Sequence, residues 1–335
     1  MTSSVHRRRV LASLGATAIG KFGTLGTLGA ALPARAAWPE RPLRLVVPSA
    51  AGGSPDLICR LLAGELGKAL GQTIVIDNRP GASGNIGMQE IVRAAPDGHT
   101  LGYANVGTLA INRSLFARLP YDRDSQLAPV ALLGEVHNAL VVRNDLGVRD
   151  VRGLVALAKA RPGRLSMGSA GNGTTGHLGG ELFKSLTGTF IVHVPYRGSP
   201  QAIQDLIGGQ VDLMFDNLSS IGPHIRDRRV TALAVSGAKR SLAFPDLPTV
   251  AEAGVPGYET TAWGGIVVPA GTAPAVIARL NAEIGKVMTS PALAERWAAL
   301  AFEPMAGPPE RLFERARREE PLWARVIQRS GAKLD

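Results

Sequence analysis

The residues best suited to chemistry in this chain are two runs of small amino acids, Pro48-Ser49-Ala50-Ala51-Gly52-Gly53-Ser54 and Gly168-Ser169-Ala170-Gly171-Asn172-Gly173-Thr174-Thr175. Short side chains leave backbone N–H groups uncovered. Each run precedes a helical pattern whose N-terminus adds partial positive charge, so either run suits a carboxylate or a phosphate. The second run holds Gly171-Asn172-Gly173-Thr174-Thr175-Gly176, a formal G-x-G-x-x-G between a strand and a helix. A dinucleotide would also want an acid about 20 positions further on, for the ribose hydroxyls. Pro195, Tyr196 and Arg197 stand there instead. Neither run contains a P-loop lysine, which argues against a nucleoside triphosphate. No G-x-S-x-G or H-E-x-x-H occurs, and His6, His99, His137, His177, His193 and His224 are dispersed without metal-ligand spacing. His177 reads as a cap or packing residue, and Asp56 as an acid that favours the dipole of its helix. Asp216 and Asn217 end a strand, where they either project into a cleft or cap the next segment. Cys59 reads as a small apolar packing residue.

Alternating strand and helix patterns must position these loops. Leu43–Val47 is a β-rich run, and Leu57, Ile58, Leu61, Leu62, Leu66 and Leu70 recur at helical spacing after it, with Ser54 and Pro55 suited to N-cap and first helical residue. Strands at 73–76 and 100–103 with a helix at 86–94 complete a parallel βαβαβ half. The same grammar returns from Leu165 to Phe215. Each half then adds a further strand, 130–133 and 231–235, and a second apolar run, 139–142 and 265–268; these last two are the expected crossing strands between two lobes. Three helices close the chain, opening near Pro274, Pro291 and Glu310. In open parallel sheets ligands sit beyond the carboxyl ends of the strands, so two facing lobes make one cleft, and two crossings permit hinge closure.

Composition narrows the class. The chain has 335 residues, 45% hydrophobic and 19% charged, a formal charge of +10, and one cysteine. An internal disulfide framework and a cysteine-based zinc site are excluded, and a low charged fraction without a Lys/Arg run in the body of the chain argues against a nucleic-acid surface. Arg7, Arg8 and Arg9, an apolar stretch to Leu32 and the triplet Ala34-Arg35-Ala36 read as a cleavable export signal over residues 1–36, with Arg7-Arg8-Arg9-Val10-Leu11 fitting the twin-arginine type. Lys21 and several glycines make that stretch too weakly apolar for a lasting anchor. Removing its five basic residues takes the formal charge from +10 to +5.

The chain resembles the Bug-type extracytoplasmic solute receptors of tripartite tricarboxylate transporters. The resemblance rests on Val47-Pro48 through Gly53 with Asp56 and Arg60, on Asn78-Arg79-Pro80-Gly81-Ala82-Ser83-Gly84-Asn85-Ile86-Gly87, on Ala95-Pro96-Asp97-Gly98, on Gly168 to Gly173, on Val194-Pro195-Tyr196-Arg197-Gly198, on Asp212 to Asn217, and on Pro245 to Gly254. It implies a type II periplasmic-binding-protein fold, an α/β architecture of two doubly wound lobes with a hinge and an interlobe cleft. Lobe I is expected at 37–137 plus 264–335 and lobe II at 138–263. Carried over by position, the ligand residues are Pro48, Ser49, Ala50, Ala51, Gly52, Gly53 and Asp56, then Ser83, Gly84 and Thr108, answered by Ser169, Ala170, Asn172, Gly173, Thr174, Tyr196 and Asp216. The implied role is capture of a small carboxylate and its delivery to membrane permease subunits, by a periplasmic monomer without catalysis, metal or cofactor. The rivals are a dinucleotide-dependent enzyme using Gly171 to Gly176, and a sensor for a membrane signalling partner. Two departures stand out: Ser49 replaces a common aromatic, which opens space beside the ligand, and Cys59 replaces an alanine. Trp263 is expected near the hinge.

Overall fold

The computed structural model describes residues 38–332; the export-signal reading of residues 1–36 lies outside the described residues. β1 (Leu43–Val47) is followed by α1 (Ser54–Leu70), β2 (Ile74–Asn78), α2 (Asn85–Val92) and β3 (Thr100–Asn105). A π-helical turn at Gly107–Ile111, α3 (Asn112–Leu115) and α4 (Arg123–Gln126) lead into β4 (Leu127–Val136). His137 alone separates β4 from β5 (Asn138–Val142), and there the chain passes into a second sheet. It continues through α5 (Val151–Ala160), β6 (Ser166–Ser169), α6 (Thr175–Thr187), β7 (Val192–Pro195), α7 (Ser199–Ile207), β8 (Leu213–Asn217), α8 (Leu218–Arg226) and β9 (Thr231–Val235). The chain returns with β10 (Ala262–Pro269), α9 (Pro274–Met288), α10 (Ala294–Ala299), β11 (Phe302–Pro304) and α11 (Arg311–Ser330).

The first sheet has the order β11-β4-β10-β3-β1-β2 and the second β7-β6-β8-β5-β9. In the first, β1 lies parallel between β2 and β3; in the second, β6 lies parallel between β7 and β8. Each sheet therefore has a point where successive crossovers leave in opposite directions, and a crevice opens beyond the strand ends there.

Two expectations change. The runs 139–142 and 265–268 do not bridge the sheets. β5 lies wholly in the second, antiparallel between β8 and β9, and β10 wholly in the first, between β3 and β4. Both strands are buried throughout, and a continuous apolar run with ladders on both sides marks a central strand. The crossings fall at His137 and in the segment before β10. Likewise Ser54 is not the cap of α1. Gly53, extended at φ −79°, ψ 165°, holds that position, and its carbonyl accepts the Leu57 amide at 3.1 Å.

α1 buries Ile58, Leu62 and Leu66 to 1% exposure or less, each worth about 1.5–3 kcal/mol. Cys59 is fully buried with them, and burial pushes its thiol well above the ordinary value. α6 packs on β8 so closely that a β-carbon at Gly176 would meet the Phe215 carbonyl oxygen at 2.2 Å. This close approach explains the last glycine of the G-x-G-x-x-G run without a nucleotide.

Candidate functional site

A cavity of about 790 Å³ lies between the two sheets and is reached by the carboxyl ends of all six parallel-paired strands. After β1 come Pro48, Ser49 and Ala50; after β2, Gly81 to Gly84; after β3, Asn105 to Thr108. From the second sheet come Ala170 to Gly176 after β6, Tyr196 to Ser199 after β7, and Asp216 and Asn217 at the end of β8.

Of the residues expected at the site, Pro48, Ser49, Ala50, Gly53, Ser83, Gly84, Thr108, Ala170, Asn172, Gly173, Thr174, Tyr196 and Asp216 line this cavity. Four stand off it. Ala51 and Gly52 are exposed, and a β-carbon at Gly52 would stand 3.5 Å from Pro200 of the facing lobe. Asp56 lies behind that loop, its Oδ2 accepting the Gly52 amide and the Arg60 Nε, each at 2.9 Å. Burial alone would raise the Asp56 carboxyl, but these two bonds outweigh it and hold the group below its ordinary value. Ser169 is buried and shapes the facing loop, its Oγ 2.6 Å from His193 Nε2 and accepting the Gly171 amide at 3.2 Å.

Several loop amides expected to face a ligand are already bonded inside the protein. Gly52 N–H goes to Asp56, Gly171 N–H to Ser169, and Gly173 N–H to His177 Nδ1 at 3.1 Å. Burial first, then His193 and Lys184, push His177 down to about 3; burial and Lys184 push His193, stacked 4.0 Å away, down to about 4. Both rings are thus neutral at pH 7, and His177 Nδ1 is free to accept. Its role is to fix the loop.

The groups left for a ligand are hydroxyls and helix starts. Ser49 Oγ and Ser54 Oγ are buried without partners, and a buried hydroxyl left unbonded costs about 1–3 kcal/mol. Helices α1 and α6 both begin at the cavity. In α6 Thr174 Oγ1 already accepts the His177 amide at 3.2 Å and in α1 Pro55 has no N–H, which leaves the Thr175 and Gly176 amides of α6 and those of Ser54 and Asp56 in α1 without an acceptor in their own helices. The charged side chains on its lining are Arg197, exposed at the rim, and Asp216, buried in the wall. Burial pushes Asp216 up to about 6 against hydrogen bonds from the Ser220 and Ser199 hydroxyls. Tyr196 gives its hydroxyl to Asp205 at 2.7 Å and so offers the cavity its ring.

Sequence reasoning missed the apolar wall: Ile58, Tyr103, Phe116, Val136 and Phe302, with Trp263, which had been placed only near a hinge. Ser54 was read as a cap. Trp263 donates its indole N–H to Glu319 at 2.8 Å under the Arg315 guanidinium, 5.2 Å from its ring centre. At the lips the lobes touch. Ser83 Oγ donates to the Asn172 carbonyl at 2.9 Å, and a β-carbon at Gly198 would stand 2.6 Å from that of Ala50.

Two doubly wound lobes closing their strand ends over one cavity make a type II periplasmic-binding fold, the architecture of solute-binding receptors. Residues 58–332 match the model of the tripartite tricarboxylate transporter family receptor, and the chain belongs to that family. It is 37% identical to the protein BugT of Bordetella pertussis over 312 residues, 92% of this chain and 96% of BugT. It is also similar to the structure of Rpa4515 of R. palustris with adipate (TM-score 0.86, 37% identity, 88% of this chain and 98% of that one). The structure of MatC from Rhodopseudomonas palustris with bound malate gives a TM-score of 0.80 at 32% identity, over 87% of this chain and 100% of MatC. Among the described residues no helix is long and apolar enough to cross a membrane.

Proposed function

We propose that this receptor is exported to the periplasm, holds a carboxylate in the interlobe cavity and delivers it to permease subunits without altering it. The observation that carries this reading is the meeting of two helix starts, Ser49 and Ser54 in one pocket, the hydroxyls buried without partners. Together they offer donors and positive field to an anion while placing no acid-base pair beside it. Adipate and malate in the related structures support a carboxylate. The lobes are assigned to 37–137 plus 264–335 and to 138–263, with the mature chain starting after residue 36. The ring of Tyr103, Phe116, Trp263 and Phe302 in a cavity of about 790 Å³ favours an acid with a substantial hydrocarbon body over a compact tricarboxylate, which would leave much of the wall bare. The dinucleotide reading finds no support, since the strand after the glycine run ends at Pro195-Tyr196-Arg197 with no acid.

The test is thermal denaturation against a panel of di- and tricarboxylates, amino acids and aromatic acids. At least one acid is expected to raise the melting temperature, by the equivalent of about 3 kcal/mol at a hundred times its Kd. Silence from every acid together with stabilisation by NAD would replace this reading with the enzymatic one.

A further inference from the structure

The short edge strand β11 pairs antiparallel with β4, Phe302 opposite Val136 and Glu303 opposite Glu135. Side chains alternate across strands. Val136 and Phe302 face the ligand cavity, so the two glutamates stand together on the other face, in a row with Trp263 of β10 and beside Arg315 of α11. Like charges directly opposite each other destabilise a ladder, and among the described residues Glu135 alone of the two glutamates has an arginine or lysine partner: Arg315 Nη2 lies 2.7 Å from Glu135 Oε2. The ion-pair neighbour of Glu303 within 4.0 Å is His137, through Nε2. His137 is the residue at which the chain leaves the first sheet. It is 6% exposed, its Nδ1 is buried without a hydrogen-bond partner, and a β-carbon at Gly237, just after β9, would stand 2.6 Å from its ring. One donor atom from each of Glu135, His137 and Glu303 lies within 4.8 Å of the others.

We propose that Glu135, His137 and Glu303 form a divalent-cation site on the outer face of the hinge. An imidazole with two carboxylates suits Zn2+ or Mn2+, whereas Ca2+ and Mg2+ take oxygen donors. Arg315 is shared between Glu135 and Glu319, to which its Nε donates at 3.0 Å, so the paired glutamates keep an excess of negative charge that the ion compensates. Bound there, it ties β4, β11 and the crossing residue together directly behind the Val136 and Phe302 wall, and so restricts hinge movement. The site is independent of which solute the cavity holds, and its test uses the metal alone.

Untagged protein, stripped with a chelator, is titrated with Zn2+ in a calorimeter and melted with and without it. One ion per chain and a raised melting temperature are expected. Glu303→Gln and His137→Gln should each weaken binding roughly tenfold or more, and Ca2+ should give no comparable heat. Glu303 is partly exposed on a three-residue edge strand, so its variant folds even where His137→Gln does not. Absence of stoichiometric Zn2+ binding, or wild-type affinity in Glu303→Gln, overturns the site; Ca2+ binding as tightly as Zn2+ overturns the assigned ion class.

Discussion

Asp216 sets an acid into the wall of the cavity proposed to hold an anion, and this gives the protein a definite response to pH. Burial pushes its carboxyl up to about 6 from the ordinary 3.8, so the folded state keeps this proton longer than the unfolded chain does. The penalty for burying the charge is complete above pH 6 and fades as pH falls toward 3.8. At about 1.4 kcal/mol per unit it amounts to roughly 3 kcal/mol at most. Asp216→Asn should therefore melt higher than the parent protein at about pH 8, with the gap closing toward about pH 4; a gap independent of pH would show that the carboxylate is not its source. The same charge repels a bound anion. Ligand affinity measured by calorimetry should rise as pH falls through 6 and stay flat in the Asn variant.

At the scale of elements, β10 carries the reporter. Trp263 forms part of the cavity wall and is tied to α11 through Glu319 and Arg315, so its fluorescence should change when ligand binds, and the ligand-free spectrum should shift in Glu319→Ala, where the indole loses its acceptor. An unchanged spectrum with a confirmed ligand would remove Trp263 from the binding wall. The strands and the twin small-residue loops were legible in the sequence because alternation of β runs with helical stripes is local. The start of α1 was not. Ser54-Pro55 has the form of a cap, but Gly53 takes the capping conformation and leaves the Ser54 hydroxyl to the cavity. β11 is three residues long, too short to show a period, and the approach of Phe116 and Phe302 to the cavity is a tertiary fact with no local signature. Loop amides were overcounted for a related reason: His177 and Asp56 claim two of them through contacts that only the folded chain creates.

At the scale of the whole molecule the two lobes meet at their lips, and Gly198 stands at that meeting point. Its backbone is extended, φ 162°, ψ 162°, so a larger residue fits locally; the obstacle is Ala50 on the facing lobe, 2.6 Å from the new β-carbon. Gly198→Val should keep both lobes folded, with a melting temperature near that of the ligand-free parent, yet weaken binding roughly tenfold or more, about 1.4 kcal/mol. Unaltered affinity in this variant would mean that ligand is held without the lips meeting.

The division of labour around the cavity has an evolutionary corollary. In the proposed reading, helix starts and buried hydroxyls would hold the charged end of a guest, while Tyr103, Phe116, Trp263 and Phe302 bound the space for the rest. A lineage built this way can change its diet by trading one or two wall residues, with the anchoring apparatus untouched. On that reading, relatives sharing about a third of their residues could differ in the acid they accept while keeping the same anchor.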